Sequence, residues 1–308
     1  MTPGRPTTLA AGRIAVRRAS RETRAWLRWH WDHGQNLPPA ATPSVVVTDE
    51  GAGEPPPSAE VRIARGDRDA MEWAGAGDEW WGGELGRSVR LVLGGAPFEV
   101  HACSPVRPEG GTHWLAVHLA LTEAMRAGGY LPMHAAVIER AGVATAIVGP
   151  SGAGKSTAAM AAARRGWRVV AEDLAWVDPG AMTVHRWDRG IRLHDDSYRR
   201  LGAERGARAP HRDEGGKRRL PYAGLGDAGS CSSATLAHLV VLGPREDGAT
   251  RREPLAPRDR VRALWEATGA PFTDRGRAMA AAGVQRLLEE LSFELVRVGS
   301  DSAFPAGR

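Results

Sequence analysis

The first third of the chain carries short apolar runs of the kind that form β-strands. Proline- and glycine-rich breaks, such as the three prolines at 55–57, separate these runs and are typical of turns. The runs are "SVVVT" (44–48), "AEVRIA" (59–64) and "RSVRLVL" (87–93). We therefore predict a small β-rich domain over residues 1–108, and we consider it a candidate region for substrate or partner binding.

From residue 112 onward the pattern changes to alternating helices and strands. Trp114, Val117, Leu121 and Met125 recur at the spacing of one helical face, and this helix is expected to end at the glycines 128–129. Further strands are predicted at 134–139, 143–148, 167–173 and 234–243, and further helices at 155–165 and around the stripe Val284, Leu287, Leu288 and Leu291. This alternation predicts an α/β fold with a mostly parallel or mixed sheet over residues 109–308.

Composition limits the classes of protein that the chain can represent. Its 308 residues, 42% of them apolar, suffice for the core of one large or two modest domains. The net charge is +5, but basic and acidic residues are interleaved along the chain, which is typical of a solvated surface. We therefore expect no nucleic-acid partner. Cys103 and Cys231 are too few for a disulfide framework and lack the spacing of a metal site.

No stretch of the sequence indicates a membrane or an export signal. The chain lacks a run of eighteen apolar residues, and the arginine-rich residues 1–20 lack the apolar segment of a secretion signal. We expect a cytoplasmic location and no membrane partner.

The N-terminal region is rich in tryptophan. Two interpretations remain open for this group, a stacking platform for a ligand or an aromatic core. Its members are Trp26, Trp29, Trp31, Trp73, Trp80 and Trp81.

A phosphate-binding motif follows the strand predicted at 143–148. Residues 149–156 match G-x-x-x-x-G-K-[ST] between a strand and a helix, the context that this P-loop motif requires. The backbone N–H groups of such a loop surround phosphates, Lys155 reaches the β- and γ-phosphates, and the Ser156 hydroxyl binds Mg²⁺. The predicted phosphate-binding residues are Gly149, Ser151, Gly152, Ala153, Gly154, Lys155, Ser156 and Thr157.

Two adjacent carboxylates end the strand predicted after the P-loop helix. Glu172 and Asp173 would emerge at the carboxyl edge of the sheet, where open α/β sheets place their chemistry. Side chains alternate along a strand, so the two can face one site only if a bend begins there. One acid can hold Mg²⁺ while the other acts as a general base toward a hydroxyl. The alternative is that either acid is only a solvated residue at a strand end.

The segment "MHAAVIERAGVATAIVGPSGAGKSTAAMAAARRGWRVVAEDL" (133–174) resembles the core of the HPr kinase family, which is related to the ATP-dependent PEP carboxykinases. That family has a histidine before the P-loop, a helix that ends in Arg-Gly and a strand that ends in an acidic pair. Here these features are His134, Arg165-Gly166 and Glu172-Asp173. The resemblance is weaker from Thr112 to the end of the chain, and it does not extend to residues 1–108.

The resemblance implies a Mg²⁺- and ATP-dependent kinase that acts on a serine hydroxyl of a peptide or protein. It implies that Glu172 is the general base, although the family has an aspartate there and glutamate is longer by one methylene. It also implies that His134 lies near the phosphates, with a histidine packed in the core as the alternative. The expected metal ligands are Ser156 and Asp173.

Downstream, the family's loop for its carrier-protein substrate has no clear counterpart. The segments 188–198 and 213–222 instead resemble those of HPr-kinase-like enzymes associated with ribosomally made peptides, including lasso peptides. Arg192 and Lys217 in these segments could neutralise charge on the transferring phosphoryl group, or be surface charges on loops. Lys155 and Lys217 are the only lysines among 41 basic residues, which favours a specific use of each ammonium.

These observations favour an ATP- and Mg²⁺-dependent serine kinase. The alternatives are a kinase of a small molecule, such as free serine or a related metabolite, and a nucleotide-sensing module without catalysis. The sequence leaves open whether the chain forms a homo-oligomer.

Overall fold

The computed structural model divides the chain into two compact units. The first comprises Met1–Leu131 and Ala270–Gly283, and the second comprises Pro132–Gly269 and Val284–Arg308. The first unit thus includes residues beyond the boundary predicted at 108. The structure describes residues 7–9, 13–31, 37, 45–49, 51–65, 70–83, 88–103, 106, 113–200, 216–225, 229–244 and 246–299.

An eight-stranded sheet forms the first unit, as its β-rich sequence predicts. The strands are β1 (Thr7–Leu9), β2 (Ile14–Val16), β3 (Val45–Thr48), β4 (Glu60–Arg65), β5 (Ala70–Ala76), β6 (Glu79–Gly82), β7 (Val89–Val92) and β8 (Phe98–Ala102). Their order is β1-β2-β3-β8-β7-β6-β5-β4, and only the pairs that involve β3 are parallel. Two helices accompany the sheet, α1 (Arg21–Trp31) and α2 (His113–Ala127). Helix α2 ends before Gly128, as expected.

The tryptophans of this unit are mainly core residues. Trp26, Trp31, Trp73, Trp80 and Trp81 are buried, which confirms the aromatic-core interpretation for these five. Trp73, for example, stacks on Phe272 with ring centroids 4.2 Å apart. Trp29 differs, because 58% of its surface is exposed.

The second unit is built on a nine-stranded sheet. Its strands are β9 (Leu131–Met133), β10 (Ala136–Arg140), β11 (Val143–Val148), β12 (Arg168–Ala171), β13 (Ala175–Asp178), β14 (Thr183–Arg186), β17 (Ser233–Leu242), β18 (Arg251–Pro254) and β19 (Ser292–Arg297). A separate two-stranded ribbon consists of β15 (Gly190–Leu193) and β16 (Arg218–Pro221). The helices with residues in this unit are α3 (Lys155–Ala163), α4 (Asp195–Arg200), α5 (Pro257–Thr268) and α6 (Asp274–Glu290).

The large sheet is mixed, as predicted. Its order is β12-β10-β11-β17-β14-β13-β9, and β19 pairs with both β17 and β18. The parallel pairs β11·β17 and β17·β19 lie at its centre. The pairs β10·β11, β10·β12, β13·β14, β14·β17 and β18·β19 are antiparallel. A tight turn at Ala141-Gly142, where both residues have positive φ, joins β10 directly to β11. Alanines of α3 pack on this sheet against Ile138 and Val169.

No helix in the described part of the chain combines the length and the apolar character needed to cross a membrane.

Candidate active site

The topology of the sheet brings three predicted site segments to one edge. Strand β10 lies between β11 and β12 and is antiparallel to both, so β11 and β12 run in the same direction. The P-loop after β11 and the acids after β12 therefore emerge at the same edge. Strand β10 begins at this edge, so His134, two residues before it, also belongs there. His134 itself precedes the strand, and its backbone N–H donates to Ala267 O at 2.8 Å.

The loop that follows β11 has the backbone geometry of a phosphate cradle. Gly149 has φ of +147°, and a Cβ there would lie 2.9 Å from the carbonyl oxygen of Leu242, so this close approach requires glycine. Gly154, with φ of +99°, is the N-cap of α3, and no side chain caps that helix. The N–H groups of the first turn are therefore directed toward the loop, where they can bind an anion.

Lys155 folds back into this loop. Its Nζ donates to Gly149 O at 2.8 Å and to Pro150 O at 3.4 Å, and the residue is only 8% exposed. Burial lowers the pKa of Lys155, while the charges of Asp173 and Glu172 oppose that shift. All eight residues predicted to bind phosphate thus belong to one continuous loop and helical turn, whose only cation is Lys155.

Glu172 contacts the P-loop helix directly. The Ser156 hydroxyl donates a hydrogen bond to Glu172 Oε1, while the backbone N–H of Arg192 donates to Glu172 Oε2 at 3.2 Å. The Glu172 side chain is 2% exposed, and burial raises its pKa above the usual value, although Ser156 and Arg192 counteract this effect. Glu172 is therefore an internal carboxylate beside the hydroxyl predicted to bind Mg²⁺.

Asp173 lies in a different environment from its neighbour. The bend predicted for the acidic pair is present, since residues 172 and 173 follow the end of β12 at Ala171. Asp173 forms an ion pair with the Arg192 guanidinium and lies 3.4 Å from His134 Nε2. Burial alone would raise the pKa of Asp173, but His134 and Arg192 lower it to about 2. With 39% of its side chain exposed, Asp173 is the accessible acid of the pair.

Arg192 and Lys217 both belong to the β15–β16 ribbon segment. Arg192 is in β15 and bonds to both acids, whereas Lys217 directly precedes β16 and lies close enough to Lys155 for its charge to lower that group's pKa. The structure therefore brings the predicted catalytic residues together at one edge of the sheet. Their individual roles remain predictions.

Asp188 is a residue of this site that the sequence did not single out. Its Oδ2 accepts the backbone N–H of Glu172 at 2.6 Å and that of Asp173 at 2.7 Å, and its Oδ1 accepts the Tyr222 hydroxyl. Burial raises the pKa of Asp188, and these three donors oppose the shift. The Arg186 guanidinium covers the Tyr222 ring at 4.3 Å. Asp188 thus fixes the backbone from which both acids project.

We expect Asp188→Ala to lower turnover by about 10²-fold, because small displacements of reacting groups have effects of that size. Asp188→Asn keeps the shape and one acceptor oxygen, so a loss of about tenfold is expected, with Mg-ATP binding retained in both variants. Steady-state rates and calorimetric titration measure these effects. Tyr222→Phe, which removes only the hydroxyl donor, is the matched control and should resemble Asp188→Asn. Wild-type rates for the alanine variant would exclude a positioning role.

The donor atoms at this edge fit Mg²⁺ and a nucleotide phosphate. A serine hydroxyl and a carboxylate are hard oxygen ligands, and Mg²⁺ is commonly held by one or two carboxylates together with substrate phosphates. Within the described ranges, no group of three or more His, Cys, Asp or Glu side chains is arranged to hold a metal ion.

Comparison with known proteins finds a distant structural likeness. No protein-family model matches the sequence, and no curated protein matches it. Among solved structures, the Hpr(Ser) kinase/phosphatase from Coxiella burnetii is similar at 14% identity and a TM-score of 0.26. That match covers 51% of this chain and 91% of the other.

Proposed function

We propose that this chain is a Mg²⁺-dependent kinase that transfers the γ-phosphoryl group of ATP to a serine hydroxyl of a peptide or protein. The observation that carries the proposal is the pairing of two unlike acids at the P-loop. Glu172 is buried against Ser156, and Asp173 is accessible and held by His134 and Arg192. Such a division provides one acid for the metal and one for the acceptor.

In this proposal the metal ligands are Ser156 and Glu172. When bound there, Mg²⁺ would neutralise charge on the β- and γ-phosphates. The hydroxyl–carboxylate contact supports this assignment, because both oxygens would face one small cation. This assignment exchanges the roles that the sequence predicts for the two acids, with Glu172 as the base and Asp173 as the metal ligand.

Asp173 then accepts the proton of the acceptor hydroxyl. His134 and Arg192 lower the pKa of Asp173 to about 2, and the carboxylate is ionised at neutral pH, which is the form that a base requires. Its low pKa makes it a weak base, but phosphoryl transfer depends mainly on positioning and charge stabilisation. The serine oxygen forms a bond to the γ-phosphorus, the bond from that phosphorus to the β–γ bridging oxygen breaks, and ADP leaves.

The cations of the site stabilise the charge that develops during transfer. In this proposal Lys155 binds the β- and γ-phosphates, which its position inside the loop supports. Arg192 and Lys217 bind the transferred group, which the contact of Arg192 with Asp173 and the effect of Lys217 on the pKa of Lys155 support. His134, 3.4 Å from Asp173, orients that carboxylate. The exposure of Asp173 supports an acceptor that approaches from outside, such as a peptide segment, and the resemblance of residues 133–174 to HPr kinases supports serine.

An array of serine-containing peptides incubated with Mg-[γ-³²P]ATP tests this function. We expect label on a subset of peptides and none on matched peptides with alanine in place of serine. Label on free serine but on no peptide would favour the small-molecule kinase. Binding of Mg-ATP without transfer to any acceptor would favour the nucleotide-sensing module, and both results would contradict the proposal.

A further inference from the structure

The β15–β16 ribbon has one apolar face and one cationic face. In its antiparallel register Ile191 lies opposite Leu220 and Arg192 lies opposite Arg219. Ile191 and Leu220 are buried in the hydrophobic core. Side chains alternate along a strand and directly opposed residues share a face, so Arg192 and Arg219 both project from the other face. Lys217, two residues before Arg219, continues this cationic face.

The position of the cationic face follows from the contacts of Arg192. Its guanidinium pairs with Asp173 and its Nε lies 3.4 Å from Glu172, so the face is directed toward the acids and the P-loop. Burial is the main cause of the lowered pKa of Lys155, and the positive charge of Lys217 lowers it further. Lys217 is therefore near Lys155, which agrees with a cationic face directed toward the P-loop.

Arg219 lies on this face directly opposite another cation, Arg192. Like charges directly opposite each other in a sheet, with Cβ atoms about 5 Å apart, destabilise the pair. Arg192 is neutralised by Asp173, but half-buried Arg219 makes no ion pair with any carboxylate in the described part of the chain. An anionic ligand between these strands and the P-loop would offset the repulsion between Arg219 and Arg192.

We propose that Arg219 binds the γ-phosphate of the nucleotide and makes the site select a nucleoside triphosphate over a diphosphate. The acids mark the end of the site where the phosphoryl group is transferred, and Arg219 lies beside Arg192 at that end. The P-loop backbone and Lys155 remain available to the inner phosphates. This inference rests on the proposed function and adds a selective contact to it.

The affinities of Mg-AMP-PNP and Mg-ADP for the wild type and Arg219→Gln, measured by calorimetric titration, test this inference. The wild type should bind Mg-AMP-PNP more tightly than Mg-ADP. Arg219→Gln should weaken Mg-AMP-PNP about 10-fold, the usual effect of losing one charge-assisted hydrogen bond, and leave Mg-ADP within about twofold. Arg218→Gln is the matched control, because Arg218 faces the other way and pairs with Asp195 at 2.7 Å.

The remaining outcomes separate failure of this inference from failure of the proposed function. Equal losses for both nucleotides, no loss for either, or the same selective loss in Arg218→Gln would overturn the role of Arg219. A wild type that binds neither nucleotide would overturn the proposed function itself. If the glutamine variant does not fold, Arg219→Lys replaces it, and a severalfold loss confined to Mg-AMP-PNP is expected because a lysine makes a single-point contact.

Discussion

Lys155→Ala is expected to lower phosphoryl transfer by at least about 10³-fold and to abolish the thermal stabilisation that Mg-ATP confers. Lys155 is the only cation inside the P-loop, and its ammonium already lies 2.8 Å from the carbonyl oxygen of Gly149, the first residue of the loop. The backbone N–H groups alone cannot offset the charge of the β- and γ-phosphates. Radiolabel transfer and thermal melts with and without Mg-ATP measure the two effects.

Two further variants make this result specific. Lys155→Met keeps the apolar stem of a residue that is 8% exposed, so its failure to bind would reflect the lost charge and not a cavity. Arg164→Ala removes an exposed cation at the other end of α3 and should leave both measurements unchanged. Undiminished stabilisation of Lys155→Met by Mg-ATP would refute the phosphate site.

The second large effect is expected from Asp173→Asn, which should lower turnover by about 10²- to 10⁴-fold, the usual range for loss of a general base. Its Mg²⁺ requirement should stay near that of the wild type. Glu172→Gln should instead raise the Mg²⁺ concentration needed for half-maximal rate, because Glu172 is the carboxylate bonded to Ser156. Titration of the rate with Mg²⁺ distinguishes the two variants. The opposite pattern would restore the roles expected from the sequence.

The pH dependence of the Mg²⁺ requirement provides an independent check on Glu172 as a metal ligand. Burial raises its pKa, so a proton begins to compete with Mg²⁺ at a pH above the usual range of a glutamate. The Mg²⁺ requirement of the wild type should therefore increase as the pH falls toward that pKa. Asp173, with a pKa of about 2, stays ionised throughout this range. The Mg²⁺ requirement of Glu172→Gln should vary less with pH than that of the wild type. A variation as steep as that of the wild type would argue against Glu172 as the metal ligand.

The local parts of the site could be predicted because their residue types have few structural alternatives. The glycines of the P-loop require positive φ, and the strand and helix around them carry clear apolar patterns. Strand β11 has the predicted bounds, and the bend at Glu172-Asp173 was required for two adjacent side chains to reach one site. The order β12-β10-β11, which brings His134 to the same edge, could not be inferred from pattern alone.

Asp188 and Arg219 could not be predicted because their importance depends on contacts between distant segments. Asp188 reaches the N–H of Glu172, 16 residues earlier in the chain, only because strands β13 and β14 return the chain to the acids. The face of Arg219 depends on the register between β15 and β16, and a shift by one residue would have put it in the core. The sequence also did not predict the strands β9, β13–β16, β18 and β19. Strand β9 spans only three residues, which is too short for a periodic signal.

The most direct test of the account is a crystal structure with AMP-PNP and Mn²⁺, in which anomalous scattering locates the metal. We predict that the β- and γ-phosphates lie on residues 149–157 and that Mn²⁺ lies between the Ser156 hydroxyl and the Glu172 carboxylate. Asp173 should then face the γ-phosphate from the side open to an acceptor. Mn²⁺ bound to Asp173 and away from Ser156, or a nucleotide bound outside the P-loop, would contradict the account.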